Sequence, residues 1–222
     1  MRALIVGNSD GIGLALTRRL LAEGWEVIGL SRRPAPAGAA QVADVTSPDF
    51  PAAVAEVGDV DLCVYAAGIG DPIENDDLTQ QTRALEVNLL GAARTCEVVA
   101  PRMLAAGQGH IIGLSSLADT MISAEAPGYA ASKAGLTSYL LSLDAALRPR
   151  GVAVTAVRFG FVDTKMAKSP VTPFKISPEK AVDVLMRCIQ TRPAVVSYPR
   201  RMAALTGTAG ALLRARARLR RR

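Results

Sequence analysis

The sequence predicts an α/β fold: one parallel sheet, doubly wound, with helices on both faces. Three observations predict it. Short apolar runs alternate along the chain with longer stretches of helical periodicity, the pattern of strands buried on both faces and joined by crossover helices. A glycine-rich turn joins the first apolar run to the first helical stretch, which is how open sheets of this kind begin. The length, 222 residues with half of them apolar and 21% charged, suits one domain with a sizeable core.

The elements follow in order. Residues 3–6, Ala-Leu-Ile-Val, form strand one, and a helix follows over about 12–23. Strand two is expected over 25–30, and strand three over 41–45 after the Pro- and Ala-rich loop 34–40. That spacing leaves room for only a turn or so of helix, so the segment between strands two and three is shortened. Strand four is expected over 60–66, helices over 79–90 and on to 105, and strand five over 111–115. A long helix over 128–147 leads to strand six at 152–159. A loop rich in Pro, Lys and Ser fills 163–177, Pro178 opens a helix to about 191, and 194–197 reads as a last short strand. No internal repeat is evident.

The net charge of +6 is unevenly placed. Eight arginines and no acid lie in 200–222, so the rest of the chain is close to neutral. A general nucleic-acid surface is therefore not indicated. We expect residues 1–199 to form the dinucleotide-binding and catalytic domain and 200–222 a basic tail. The tail has three readings: a helix on an anionic membrane surface, a segment packed on a partner subunit, or a frayed solvated end. Its apolar part, 202–213, is interrupted by Gly207 and Gly210. No apolar run reaches the ~18–20 residues that span a bilayer. No signal-peptide pattern opens the chain, so a cytoplasmic protein is expected. Cys63, Cys96 and Cys188 are far apart in apolar segments and are expected to be buried thiols. His110 is the only histidine, which argues against histidine triads, and no metal site is expected.

Chemistry concentrates at Tyr129-Ala-Ala-Ser-Lys133 and at Ser116, thirteen positions before the tyrosine. A four-residue step puts Tyr129 and Lys133 on one helix face. A phenol titrates near ~10. A cation held ~4–5 Å away would favour its phenolate by roughly 4 kcal/mol at an effective dielectric of ~20. Ser116 stands at the end of strand five, where open α/β sheets bind ligands. A tyrosine acid, a lysine that tunes it and a serine that holds a carbonyl oxygen suit proton transfer to oxygen. Ser115 is the rival for the serine role, since adjacent strand residues point opposite ways. At the other end, Gly7 permits a tight turn, Gly11 lets backbone approach a phosphate, and Gly13 lets the helix pack close to the sheet.

Together these motifs resemble the short-chain dehydrogenase/reductase family, over residues 1–192. Its glycine pattern matches Gly7, Gly11 and Gly13, with Val6 where a threonine is usual. Its Asp-Val beside the adenine matches Asp44-Val45, and its Asn-Asn-Ala-Gly is met only in part by Tyr65-Ala66-Ala67-Gly68. Its helix asparagine matches Asn88, its serine, tyrosine and lysine match Ser116, Tyr129 and Lys133, and its Pro-Gly turn and later threonine match Phe159-Gly160 and Thr164. The resemblance implies a single-domain Rossmann-like doubly wound sheet and hydride transfer between a carbonyl or alcohol substrate and a nicotinamide cofactor. It implies that Lys133 also binds the nicotinamide ribose and that Asn88, through water, holds a proton path behind Lys133. The cofactor contacts it implies are Gly7, Asn8, Ser9, Gly11, Ile12, Gly13, Ser31, Arg32, Asp44, Val45, Ala67, Gly68, Tyr129, Lys133, Gly160, Val162 and Thr164.

Ser31 stands where an NAD-preferring relative carries an acid, and Arg32 beside it offers a fork for a 2′-phosphate. NADP(H) is therefore expected in preference to NAD(H), with Asp10 in the glycine loop as the opposing residue. Substrate choice is assigned to 161–176 and 117–126, with Met121, Ile122, Met166 and Phe174 as apolar contacts. Lys165, Lys168 and Lys175 could attract an anionic substrate, but they are read as solvated loop charges. A homodimer or homotetramer is implied by resemblance. A different class of function, a catalytically silent nucleotide-binding sensor or scaffold, would keep the fold. The presence of all four polar groups, Asn88, Ser116, Tyr129 and Lys133, favours the enzyme.

Overall fold

The computed structural model describes residues 1–166 and 172–208. Lys168 and the six arginines from Arg214 onward lie outside the described residues. The described strands form one parallel sheet in the order β3-β2-β1-β4-β5-β6-β7. They are β1 (Arg2–Val6), β2 (Glu26–Ser31), β3 (Ala39–Val42), β4 (Leu62–Tyr65), β5 (Gly109–Ser116), β6 (Val152–Phe159) and β7 (Val195–Tyr198). The central strands read as near-continuous apolar runs because helices cover both faces. Helices α1 (Gly11–Ala22) and α6 (Pro178–Thr191) pack together on one face, over Ile5, Leu62, Val64 and Ile112. Helices α2 (Phe50–Glu56), α3 (Thr79–Leu85), α4 (Gly91–Ala106) and α5 (Pro127–Leu147) lie on the side of the second core, over Leu4, Cys63, Ile111 and Val154. This is the doubly wound architecture that the alternation predicts.

Strand order reverses between β1 and β4, and a crevice opens beyond the carboxyl ends of the strands at such a switch point. Both groups of expected site residues sit at those ends. The glycine turn follows β1, Ser31 closes β2, and Ser116 closes β5.

Three expectations change. No helix joins β2 to β3; residues 32–38 are irregular, because Pro34 and Pro36 remove the donors a helical turn would need. β3 occupies Ala39–Val42 rather than 41–45, and it is an exposed edge strand. It stops where Asp44 Oδ1 accepts hydrogen bonds from Thr46 N and Thr46 Oγ1, which turns the chain back. α2 falls in a stretch to which the sequence pattern assigns no element. It buries only Phe50 and Val54, one turn apart.

The helical stretch after β4 continues through α3 and α4 as expected, but residues Glu86–Leu90 form a π turn between them. Gly91 N bonds Glu86 O across it. The three cysteines are buried and free, and burial raises their thiol pKa values. No helix among the described residues is long and apolar enough to cross a membrane.

Candidate active site

The glycine turn is built by close approach of backbone. Gly7 has φ 91°, and a Cβ there would meet Ala67 N at 2.5 Å. A Cβ at Gly13 would stand 2.1 Å from Gly7 O. The turn, the loop after β4 and the start of α1 therefore leave no room for side chains. Asp10 caps α1, its Oδ1 accepting from Gly11 N at 2.8 Å. The N-terminus of α1 faces the crevice with the positive end of its dipole. A phosphate-bearing nucleotide fits this cradle. Ser9, Gly11 and Ile12 are partly accessible along it, and Thr164 lies across it, its Cγ2 3.2 Å from where a Gly11 Cβ would be.

Asn8 is placed otherwise than the resemblance implies. It is 0% exposed, and its amide lodges against Gly29 of β2, where a Cβ would meet Asn8 Nδ2 at 1.8 Å. Neither amide atom has a hydrogen-bond partner. Asn8 supports the turn from within the fold and offers no side chain to the crevice.

The remaining nucleotide-side residues gather beside this turn. Ser31 is buried and its hydroxyl donates to Arg33 O at 2.7 Å, while Arg32 is exposed. Burial pulls the Asp44 carboxyl upward, but hydrogen bonds from Thr46 and the charges of Arg32 and Arg83 bring its pKa below the ordinary value. Val45 is buried under Gly91. Asp10 forms an ion pair with Lys165 at 2.8 Å, and this hydrogen bond, with that from Gly11 N, lowers its pKa. Lys165 is thus an ion-pair partner, although its side chain is 84% exposed, and Lys175 pairs with Asp163 at 3.0 Å. Both lysines remain solvated as expected, each with a carboxylate beside it.

The second group converges from three elements. Tyr129 and Lys133 project from one face of α5, with Lys133 Nζ 5.8 Å from the ring centre of Tyr129. Ser116, at the end of β5, stands near enough to the phenol to ease its ionisation and also caps the next turn, accepting from Ala118 N at 3.1 Å. Ser115 points the other way, bonding Lys133 O at 3.1 Å and Thr137 Oγ1 at 2.6 Å. Of the two serines, Ser116 faces the phenol.

Asn88 sits at the centre of the π turn. Its Oδ1 accepts from Ile69 N at 2.8 Å, and its Nδ2 donates to Ile69 O at 2.8 Å and to Ser132 Oγ at 2.9 Å. The side chain is spent on holding the loop after β4, so a water behind Lys133 would need other atoms. That loop lies over the lysine: a Cβ at Gly68 would stand 3.2 Å from Asn88 Oδ1 and 3.5 Å from Lys133 Nζ. Tyr65, where the resemblance expects an asparagine, donates its hydroxyl to Val87 O in the π turn. Gly160 follows β6 beneath Met202, and Val162 bridges to Ile176. Met202 belongs to a helix described over residues 200–208, which also reaches the site side through Thr206 O, bonded by Thr120 Oγ1.

Electrostatics modify the sequence expectation. Burial raises the Tyr129 pKa; the Ser116 hydroxyl opposes the rise, and the Asp119 charge adds to it. Lys133 is 4% exposed, and burial lowers its pKa to about 8. Its ammonium donates to Leu114 O at 2.8 Å. Burial therefore governs both groups, raising the phenol and lowering the ammonium.

Sequence reasoning missed the residues beneath the site. Asp119, Arg158 and Thr137 form a partly buried network, and Ser132 anchors Asn88. Arg158, a charge inside an otherwise apolar strand, was the available signal.

The family model for short chain dehydrogenase matches residues 1–173. An uncharacterised oxidoreductase of Myxococcus xanthus is 34% identical, covering 95% of this chain and 92% of its own. A 3-oxoacyl-[acyl-carrier-protein] reductase of Vibrio cholerae is 32% identical over 75% of each chain. Among solved structures, a short chain dehydrogenase of Burkholderia cenocepacia in complex with NADP superposes with a TM-score of 0.84 at 25% identity, covering 99% of this chain and 96% of its own. With the sheet order, the glycine turn and the tyrosine–lysine helix in place, the chain belongs to the short-chain dehydrogenase/reductase family and is an oxidoreductase of that family.

Proposed function

We propose that the protein interconverts a carbonyl and an alcohol with NADP(H), using Tyr129 as general acid in reduction and general base in oxidation. One arrangement carries the reading. Tyr129 is partly buried, faced by Ser116 and flanked on its own helix by the nearly inaccessible Lys133.

Ser116 offers its hydroxyl to the substrate oxygen and fixes it beside the phenol. Because burial raises its pKa, Tyr129 keeps its proton at neutral pH and holds it ready for an oxygen that is gaining charge. Lys133 places a positive charge near the phenolate left behind and would hold the nicotinamide ribose, as the family resemblance implies. The nicotinamide, when bound, supplies or accepts the hydride. Asn88 keeps the loop after β4 closed over this pair.

Gly7, Gly11, Gly13, Ser9 and Ile12 would hold the diphosphate, and Asp44, Val45, Ala67 and Gly68 the adenosine side. Gly160, Val162 and Thr164 would flank the nicotinamide. Ser31 presents no carboxylate to a 2′-phosphate, Arg32 is exposed beside it, and the charge of Asp10 is answered by Lys165. These features support NADP over NAD. Assembly through the faces of α4 and α5 into a homodimer or homotetramer accompanies this reading. The named 3-oxoacyl relative puts 3-oxoacyl thioesters first among candidate substrates.

The test is NADPH oxidation over a panel of aldehydes, ketones and 3-oxoacyl thioesters, repeated with NADH. The reading expects turnover with at least one class and a higher kcat/KM for NADPH. A preference for NADH contradicts the cofactor assignment.

A further inference from the structure

We propose that Asp119 and Arg158 are positioning residues: a partly buried charge pair that fixes the turn carrying Ser116 and sets the electrostatic field at the Tyr129 phenol. The proposal rests on the reading of Tyr129 as acid and base.

Asp119 lies three residues after Ser116, in the 3-10 turn Leu117–Thr120. Its side chain is 4% exposed. Arg158, on β6, meets it with a fork: Nε donates to Oδ2 at 2.6 Å and Nη2 to Oδ1 at 2.5 Å. Thr137 Oγ1, on α5, donates to Oδ2 at 2.8 Å. With the Thr137 hydrogen committed to the carboxylate, the Ser115 hydrogen is shared between Thr137 Oγ1 and Lys133 O. Arg158 Nη1 also donates to Ser197 Oγ on β7 at 3.1 Å. The Asp119–Arg158 pair thereby links the turn after β5 to α5, β6 and β7.

Buried ion pairs cost desolvation, and packed apolar residues commonly replace them without loss of stability. Holding the fold together therefore does not by itself account for the pair. Its position does. The Asp119 charge disfavours the phenolate, and the Arg158 fork opposes that charge. The other charged groups on elements around the phenol are Lys133 and Asp144 on α5, Asp71, Glu74, Asp76 and Asp77 on the loop after β4, Arg83 on α3, Glu86 in the π turn, Glu125 before α5, and Arg200 and Arg201 at the start of the helix seated on Gly160. Among them Asp119 and Arg158 are the pair bonded to each other below Ser116.

The experiment is a pH titration of tyrosinate absorbance in the cofactor-free protein, with the Tyr129→Phe trace subtracted to isolate Tyr129. Asp119→Asn keeps the shape and removes the negative charge; the Tyr129 midpoint should fall by about one pH unit. Arg158→Gln leaves the carboxylate unopposed, and the midpoint should rise by a similar amount. Arg158→Lys, which keeps the charge, should hold the midpoint near that of the parent. Midpoints that stay put, or that move the same way in Asp119→Asn and Arg158→Gln, overturn the proposal. If Arg158→Gln does not fold, Asp119→Asn decides alone: a fall supports the pair, no change overturns it. The readout needs no substrate, so a failed substrate screen leaves it intact.

Discussion

Lys133 is 4% exposed and its ammonium donates to Leu114 O. Burial lowers its pKa from 10.5 to about 8, so the folded state sheds the proton before the unfolded chain does. Below pH 8 both states are protonated and folding carries the full cost, about 3 kcal/mol. Between about 8 and 10.5 the unfolded chain binds more protons, and stability rises with pH. Lys133→Met should abolish turnover and raise the unfolding temperature at pH 7 by a few degrees. Its advantage should shrink as pH climbs through that window, which thermal scans across pH would follow. Spacing alone reveals that Tyr129 and Lys133 share a helix face. Their desolvation is not legible there, because it depends on the loop after β4 closing over them. Asp119 and Arg158 were missed for the same reason: they lie 39 positions apart, and only the sheet brings them together.

At the scale of elements, the glycine turn is the most legible part, since close backbone approach demands glycine at fixed steps. Gly13→Ala would set a Cβ 2.1 Å from Gly7 O. Overpacking of this kind costs about 1–3 kcal/mol. The expected outcome is a lower unfolding temperature and NADPH binding weakened by about tenfold or more, read by calorimetry; unchanged affinity would remove the turn from the cofactor site. The π turn that centres Asn88 was not legible, because one inserted residue barely disturbs helical periodicity. Nor was α2, whose two buried side chains make a weak pattern. Asn8 shows the limit of motif transfer. Its neighbours match the family turn, yet its amide is packed against Gly29.

For the whole molecule, strand count and alternation were readable, and the order β3-β2-β1-β4-β5-β6-β7 follows from their two-way winding. The helix at 200–208 was not, since composition marks the basic end without showing what it touches. Met202 packs at Gly160, and Thr206 O accepts from Thr120. A chain ending at Thr208 should keep its unfolding temperature within about 2 °C and its turnover, having lost none of these contacts. A chain ending at Pro199 should lose several degrees, at roughly 2–4 °C per kcal/mol, together with part of its turnover. Differential scanning fluorimetry with steady-state rates separates the two.

The central claim is that Tyr129 moves the proton, and one substitution tests it most directly. Tyr129→Phe removes a single hydroxyl from a ring that remains packed on α5. NADPH binding, followed by quenching of the lone tryptophan or by calorimetry, should stay within about threefold of the parent protein. Turnover of the best substrate from the screen should fall by at least about a thousandfold. Intact binding with lost turnover is the predicted result; turnover within tenfold of the parent would contradict the account.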